Sequence, residues 1–420
     1  MTTDAFVFIL PAMSGTPDQT LTVVCLASFF KGVEFIRECK RRGWRVVVLT
    51  KEKRRGEDWP HDAIDEFHAL PNDAGPEHFL HTATDAGRRH KIARVVALEE
   101  FDVQTAAALR EHLRLPGLNN SQACLFRDKL AMREAARFSG VQVPEFVHAC
   151  NYQEVGEFME QVSAPWVLKP RTDVSAIGIR KCYEAEDVWR TMEELDARER
   201  PHERAPFYLL ERYVAGEVYH VDSLVEGGRV LFAGVNRYGR PPMNVAHDGG
   251  VFISHVIERE AVERGELLEL NRQVIAGLNL SRGATHAEFI KSAADGQFYF
   301  LEIAARVGGA YLAETLEAAS GLNLWREWAG IELADHTHPY ELPPSRDDYA
   351  GIVLSLARDE WPDTSAFDDA EIAYRVRHRH HVGLIVRSPN CRRVQELLDS
   401  YALRLVAEFG AIAPPRERAE

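Results

Sequence analysis

The chain is 420 residues long and carries 50 Lys and Arg against 64 Asp and Glu, a formal charge of −14. That length predicts roughly two to four domains, and 45 % apolar with 27 % charged residues excludes wholesale disorder, a collagen-like repeat or a small disulfide scaffold. The acidic balance argues against nucleic acid or an anionic membrane surface as partner, six scattered cysteines without a C-x-x-C pair fit a reducing compartment, and no apolar run is long enough for a membrane span, so a cytoplasmic protein is expected.

Through the first third, apolar runs of strand length at Leu21–Ala27, Arg45–Thr50 and Ile92–Leu98 alternate with helical patterns at Gly32–Arg41 and Val103–Leu113. This alternation predicts a parallel, doubly wound α/β layer, whose ligands bind beyond the carboxyl ends of its strands. Glu99, Glu100 and Asp102 form a polar rim at one such end. No G-x-G-x-x-G follows the first strand, so a dinucleotide site is not expected.

From Asn119 the texture changes. A helix over Arg127–Phe138 stops at Ser139-Gly140, a strand is expected over Val141–Val147 and a helix over Gln153–Val162. The short apolar strand Trp166–Leu168 then runs into Lys169 and the small-residue segment that ends at Ser175-Ala176-Ile177-Gly178. A strand from Ile179 and a helix over Glu184–Leu195 lead to a polar linker, Asp196–Ala205. Strands follow at Phe207–Tyr213, Glu217–Val225, Arg229–Arg237 and Gly250–Ile257, then a helix at Arg259–Leu278. Two antiparallel strands, Gly283–Lys291 and Gln297–Ala304, flank the hairpin signal Asp295-Gly296. Pro339–Arg346 marks a boundary, and the rest, from Tyr349, reads as two or three strands and a helix near Val394–Leu403.

Several of these positions suit phosphate and metal chemistry. Lys169, at a strand end before small residues, can offer a point charge to phosphate oxygens, while Ser175 and Gly178 allow close backbone approach. The junction from Glu211 through Val214 to Glu217 can present backbone groups to a purine edge and a carboxylate to a ribose. Glu288 and Glu302 lie on the two hairpin strands, each alternating with apolar neighbours, so both can face the less buried side. Two acidic side chains side by side repel unless a cation lies between them, and Mg²⁺ is the natural candidate. His286 shares the face of Glu288 and reads as its hydrogen-bonded neighbour. Arg306, beside Gly308-Gly309, can stabilise a transferring phosphoryl group or a developing oxyanion. Arg237 and His255, on strands expected to line the cleft, are candidates for substrate contact, as is the Asn244–Gly250 loop.

The order Lys129, Lys169, the Ser175–Gly178 loop, Glu211 to Glu217, Glu288, Glu302, Arg306 and Gly308-Gly309 resembles the ATP-grasp superfamily over roughly residues 1 to 330. The resemblance implies an α/β and α+β chain with an ATP-grasp fold. Its expected parts are a parallel α/β pre-ATP-grasp domain (1–118), a lobe with the phosphate loop (119–205), a lobe with the adenine, magnesium and substrate sites (206–335), and a small C-terminal α+β portion (336–420). It further implies ATP and Mg²⁺ as cofactors, with Mn²⁺ an admissible substitute. Lys129 and Lys169 would bind phosphates, Ser175 to Gly178 would cover them, Glu211 and Val214 would face adenine, Glu217 the ribose, and Glu288 and Glu302 the metal. Where the family commonly places an asparagine at the second metal strand, this chain has Ala304. The activity implied is that of an ATP-dependent carboxylate–amine ligase, similar to the L-amino acid ligases, with an acyl-phosphate intermediate, small-molecule carboxylate and amine substrates, and Lys169 and Arg306 as catalytic groups. A biotin-carboxylase-like or purine-pathway carboxylase and a non-catalytic ATP-binding protein are the alternatives. Relatives are often dimers, which leaves a homodimer open.

Overall fold

The computed structural model describes residues 20–173, 178–198, 208–243, 245, 250–335 and 337–411. Its first part contains β1 (Thr22–Ala27), α1 (Val33–Arg41), β2 (Arg45–Lys51), β3 (Glu66–Leu70), α2 (Pro76–Arg89), β4 (Ile92–Ala97) and α3 (Val103–Leu113). The four strands form a parallel sheet in the order β3-β2-β1-β4. All of β1 and the centre of β2 are buried, as expected of parallel strands covered on both faces. The sequence pattern passes over β3 and α2 for a physical reason. β3 is an edge strand that buries only Leu70, and α2 buries only Phe79, Ala83 and Ala86, so neither carries a strong apolar period.

The second part comprises α4 (Asn120–Cys124), α5 (Lys129–Phe138), β5 (Phe146–His148), α6 (Tyr152–Gln161), β6 (Trp166–Pro170), β7 (Arg180–Cys182), α7 (Ala185–Arg198) and β8 (Tyr208–Arg212). Its sheet is antiparallel, in the order β5-β8-β6-β7. The strand expected over 141–147 shrinks to Phe146–His148, because Pro144 has no N–H to give to a ladder. The expected linker at 196–205 begins inside α7, and its remainder lies outside the described residues.

The third part carries β9 (Gly216–Glu226), β10 (Arg229–Tyr238), β11 (Phe252–Val256), α8 (Val262–Gly277), β12 (Arg282–Ser292), β13 (Phe298–Ala304), α9 (Leu312–Ser320), α10 (Leu324–Leu333), β14 (Tyr349–Leu356), β15 (Ile372–Arg375), β16 (His381–Ser388) and α11 (Cys391–Phe409). One eight-stranded sheet runs β13-β12-β9-β10-β11-β14-β16-β15. The strands beyond residue 336 therefore extend the sheet of the preceding part, through β11–β14 pairing from Phe252↔Leu354 to His255↔Gly351. Trp325 and Trp328 on α10 are core residues. They join Phe35 of α1, Val23 and Val48 of the parallel sheet and Leu224 of β9 in one apolar cluster. This shared core seats the first part over one end of the long sheet. No described helix is long and apolar enough to cross a membrane.

Asp102, on the expected polar rim, serves the fold. Its oxygens accept hydrogen bonds from the Ser28 backbone N–H at 2.7 Å and the Ser28 hydroxyl at 2.6 Å, which ties the start of α3 to the turn after β1. Burial pushes its carboxyl up to about 6, even though both Ser28 bonds favour the charged form. The folded protein thus holds this proton more tightly than the unfolded chain. The resulting stability is complete below about pH 4 and is lost as the pH rises through about 6. Asp102→Asn keeps the shape without the charge. Its stability relative to wild type should improve by about 3 kcal/mol between pH 4 and pH 7, as read from urea unfolding at both pH values; a difference constant with pH would show that Asp102 does not titrate in this way.

Candidate active site

The helix start at α5 organises the Lys129 and Lys169 side of the cleft. Asp128 caps α5, accepting from the backbone N–H groups of Leu130 and Ala131, and its carboxylate also holds Arg171 just beyond β6. The Lys129 backbone N–H donates to the Arg171 carbonyl, so the first residue of α5 is stitched to the loop after β6. The Lys129 ammonium reaches the Asp173 carbonyl at 2.7 Å and the Glu302 carboxylate at 3.1 Å. One helical turn on, the fully buried Arg133 donates its Nε–H to Glu211 at 3.0 Å and pairs a second nitrogen with the Leu301 carbonyl. Glu211 binds Lys169 as well.

Lys169 is consequently buried and paired, which a strand-end lysine would not be if it were a solvated charge. Burial, with Arg133 alongside, pushes its ammonium down to about 8 despite Glu211. Burial works against the charge of Glu211 too, but Arg133 and Lys169 outweigh it and hold this carboxylate below the usual range.

The metal candidates face one another. In the β12–β13 pairing Glu288 is the direct partner of Glu302, and His286 the direct partner of Ala304. Both carboxylates line a cavity of about 460 Å³ together with Lys129, Lys169, Arg306 and Gly309. Neither carboxylate is left to bare repulsion. Glu302 has Lys129, and Glu288 accepts from the Tyr238 hydroxyl at 2.8 Å and lies 3.3 Å from His286 Nε2. Against the cost of burial, Lys129, Lys169 and Arg133 hold Glu302 down at about 2. Asp222, which neighbours Glu288 through His286, keeps His286 up at about 10 although burial pushes the other way.

Arg306 crosses to the first part of the chain. Its guanidinium pairs with Glu100 at 2.8 Å, and the other oxygen of Glu100 holds Arg127 at 2.7 Å, which in turn donates to the Thr172 carbonyl. Arg306 lines the cavity, and its Nε is buried without a partner among the described residues. The rim residue Glu100 thus links all three parts of the chain.

The apolar side of the cavity is built by Val167, Ile179, Val214, Val218, Ile290 and Leu301. Of these the sequence singles out only Val214; the others come from β6, β9, β12, β13 and the residue just ahead of β7, a convergence no local pattern reveals. Arg133 was also missed, although its four-residue spacing from Lys129 on one helix face was a usable signal. Gly178 is in the left-handed region at φ 73°, next to Pro170. Ser175, and Asn244 with residues 246–249, lie outside the described residues. Glu217 is paired with Arg237 at 2.9 Å, and neither lines the cavity. His255 does not line it either: it lies on the opposite face of β11 from Phe252 and Ser254, buried beside Gly351. Arg237 and His255 are therefore not at the cleft in this structure, because strand alternation turns His255 away and Glu217 holds Arg237. Gly308 packs behind the cavity, where an added Cβ would come within 2.7 Å of Asp222 Oδ1.

Residues 162–314 match the model of the ATP-grasp domain. The L-arginine-specific L-amino acid ligase of Bacillus subtilis is 24% identical over 243 residues, and the match spans 57% of this chain and 57% of that protein. Among solved structures, L-amino acid ligase from Bacillus licheniformis superposes with a TM-score of 0.71 at 16% identity, covering 95% of this chain and 99% of that one. N5-carboxyaminoimidazole synthetase from Staphylococcus aureus, complexed with ADP, gives 0.67 at 15% identity, covering 91% and 96%. The chain has the ATP-grasp fold, with a parallel α/β sheet ahead of two antiparallel ones.

The pairing of Glu302 with Lys129 has a measurable consequence. Glu302→Gln removes the anion that faces Lys129, Lys169 and Arg133, so the ligand-free protein should lose about 1–2 kcal/mol, the open third of the side chain letting water screen part of the attraction. Thermal melts of both proteins should show the variant melting earlier and gaining little from Mg-ATP. A variant that gains the full wild-type shift would rule out Glu302 as a metal ligand.

Proposed function

We propose that this chain is an ATP-dependent carboxylate–amine ligase. A substrate carboxylate oxygen attacks the γ-phosphorus and releases ADP; the nitrogen of an amine then attacks the acyl carbon, releasing phosphate and a proton and leaving an amide. The observation that carries this reading is the convergence of Lys129, Lys169, Glu288, Glu302 and Arg306 on one cavity with an apolar wall. Residues 119–205 and 206–335 would be the lobes that clasp ATP, and residues 1–118 would close the substrate end through Glu100.

The donor set fits magnesium. Two facing carboxylates supply hard oxygen ligands, and water completes such a shell where Ala304 offers nothing. Held by Glu288 and Glu302, the ion would neutralise charge on the transferring phosphoryl group. Lys169 and Lys129 place positive charge at the phosphates from fixed, buried stems, so little reorganisation is needed as charge shifts toward the leaving ADP. Arg306 is held by Glu100 and keeps its Nε free, which suits it to orient the carboxylate and then the acyl phosphate. Val167, Val214, Val218 and Ile290 give the purine an apolar slot and keep water from the reactive intermediate.

The similarity to an L-arginine-specific L-amino acid ligase supports amino acids as substrates, and the composition supports a cytoplasmic setting. Phosphate release from Mg-ATP should require an amino acid pair and yield a dipeptide by mass spectrometry. Release stimulated only by bicarbonate would instead favour a carboxylase, and ATP binding without release a non-catalytic protein. Lys169→Ala should raise the KM for ATP and lower kcat together, each on the order of tenfold, because the phosphate contact exists in both ground and transition states. A change in KM alone would reduce Lys169 to a binding group.

A further inference from the structure

Behind Glu288 lies a run of buried polar groups that the reaction above does not use. Ser254 Oγ hydrogen-bonds His220 Nε2 at 2.7 Å, and His220 Nδ1 meets Asp222 Oδ2 at 2.6 Å. Asp222 Oδ1 meets His286 Nδ1 at 2.9 Å, and His286 Nε2 stands 3.3 Å from Glu288 Oε1. Ser254, His220 and Asp222 have no exposed surface at all. The β9–β12 register makes His286 the direct partner of Asp222 and Glu288 the direct partner of His220, so the chain of bonds is written into one pair of strands.

A fully buried carboxylate is costly unless every oxygen is bonded, and here each oxygen has its own imidazole. The donor atoms of His220, Asp222 and His286 lie close enough together to suggest a metal cage. Yet every ring nitrogen among them is already hydrogen-bonded, so the group works as a relay of orientation. By engaging Nδ1, Asp222 fixes the His286 ring with Nε2 toward Glu288, the arrangement by which carboxylates commonly orient imidazoles around metal sites. The turn beside Arg306 depends on the same atoms. Gly308 leaves no room for a side chain against Asp222 Oδ1 and His286 Nδ1.

We propose that Asp222, acting through His286, is a positioning residue that fixes the Glu288 carboxylate for its cation and seats the Gly308-Gly309 turn next to Arg306. This inference rests on the reading of Glu288 as a metal carboxylate. The experiment is a titration of the full-length protein with Mn²⁺, followed by electron paramagnetic resonance in the presence of saturating ADP, for wild type, Asp222→Asn, His286→Gln and Glu288→Gln. Asp222→Asn and His286→Gln should each bind Mn²⁺ about 10- to 100-fold more weakly, while metal-free ADP affinity stays within about twofold. Raising Mg²⁺ should restore part of the lost turnover, which a merely structural defect would not permit. Should Asp222→Asn fail to fold, His286→Gln decides the question alone. Wild-type Mn²⁺ affinity in these variants beside weakened Glu288→Gln would overturn the positioning role and leave the ligase reading standing. Wild-type affinity in Glu288→Gln would overturn the metal assignment itself, and the positioning role with it.

Discussion

The site depends on the register of β12. This strand is held between β9 and β13, and that pairing sets Glu288 opposite Glu302 on one side and His286 opposite Asp222 on the other. Side chains alternate along a strand, so a slip of β12 by one residue would turn Glu288 and His286 into the apolar core and bring Ala287 and Phe289 to the cleft. The core guards against that slip. Ala287, Phe289, Phe300 and Ile303 pack in one cluster beneath α5 and α8, and apolar burial there outweighs the cost of assembling acidic groups on the other face.

Around the cleft, the charged groups described are paired. Glu211 has Arg133 and Lys169, Glu302 has Lys129, Glu100 has Arg127 and Arg306, and Asp222 has two imidazoles. The cations that would meet triphosphate are thus already compensated by protein carboxylates. On the proposed reading, entry of a nucleotide would exchange partners within the cavity and would not create a new cluster of like charges. The cleft can hold this many buried ionised groups because Lys129, Arg127 and Arg133 are each shared between a carboxylate and a backbone carbonyl, while Lys169 shares Glu211 with Arg133.

Much of this was legible before the fold was known, and the division follows physical lines. The parallel layer, the hairpin carrying Glu288 and Glu302, and the helix that starts near Lys129 each have a local period or turn signal, so their placement followed from neighbours in sequence. Features that arise from distant contacts were not legible. Glu99 and Glu100 read as a polar rim with no partner indicated, while the structure gives Glu100 the partner Arg306, 206 positions away. His255 was assigned to the cleft from its strand alone, but the face it takes is decided by how β11 is sandwiched between β10 and β14. Asp222 and His220 sit within a continuous apolar strand, Val218 to Val225, where a sequence pattern shows polar interruptions and not the buried partners that make them tolerable.

The pairing of β11 with β14 ties the last quarter of the chain to the candidate cleft in a further way. A protein cut after α10 would end its sheet at β11, with a row of unpaired N–H and C=O groups a few residues from Phe252, which lines the cavity. Such an edge is a template for pairing with another molecule. Through β14 to β16 and α11, the chain moves that edge to the short strand β15, whose alanine, tyrosine and arginine are exposed and whose sequence offers little to extend. The C-terminal strands therefore satisfy the backbone groups of β11 and leave β15, with β13 at the far side, as the edges of the sheet.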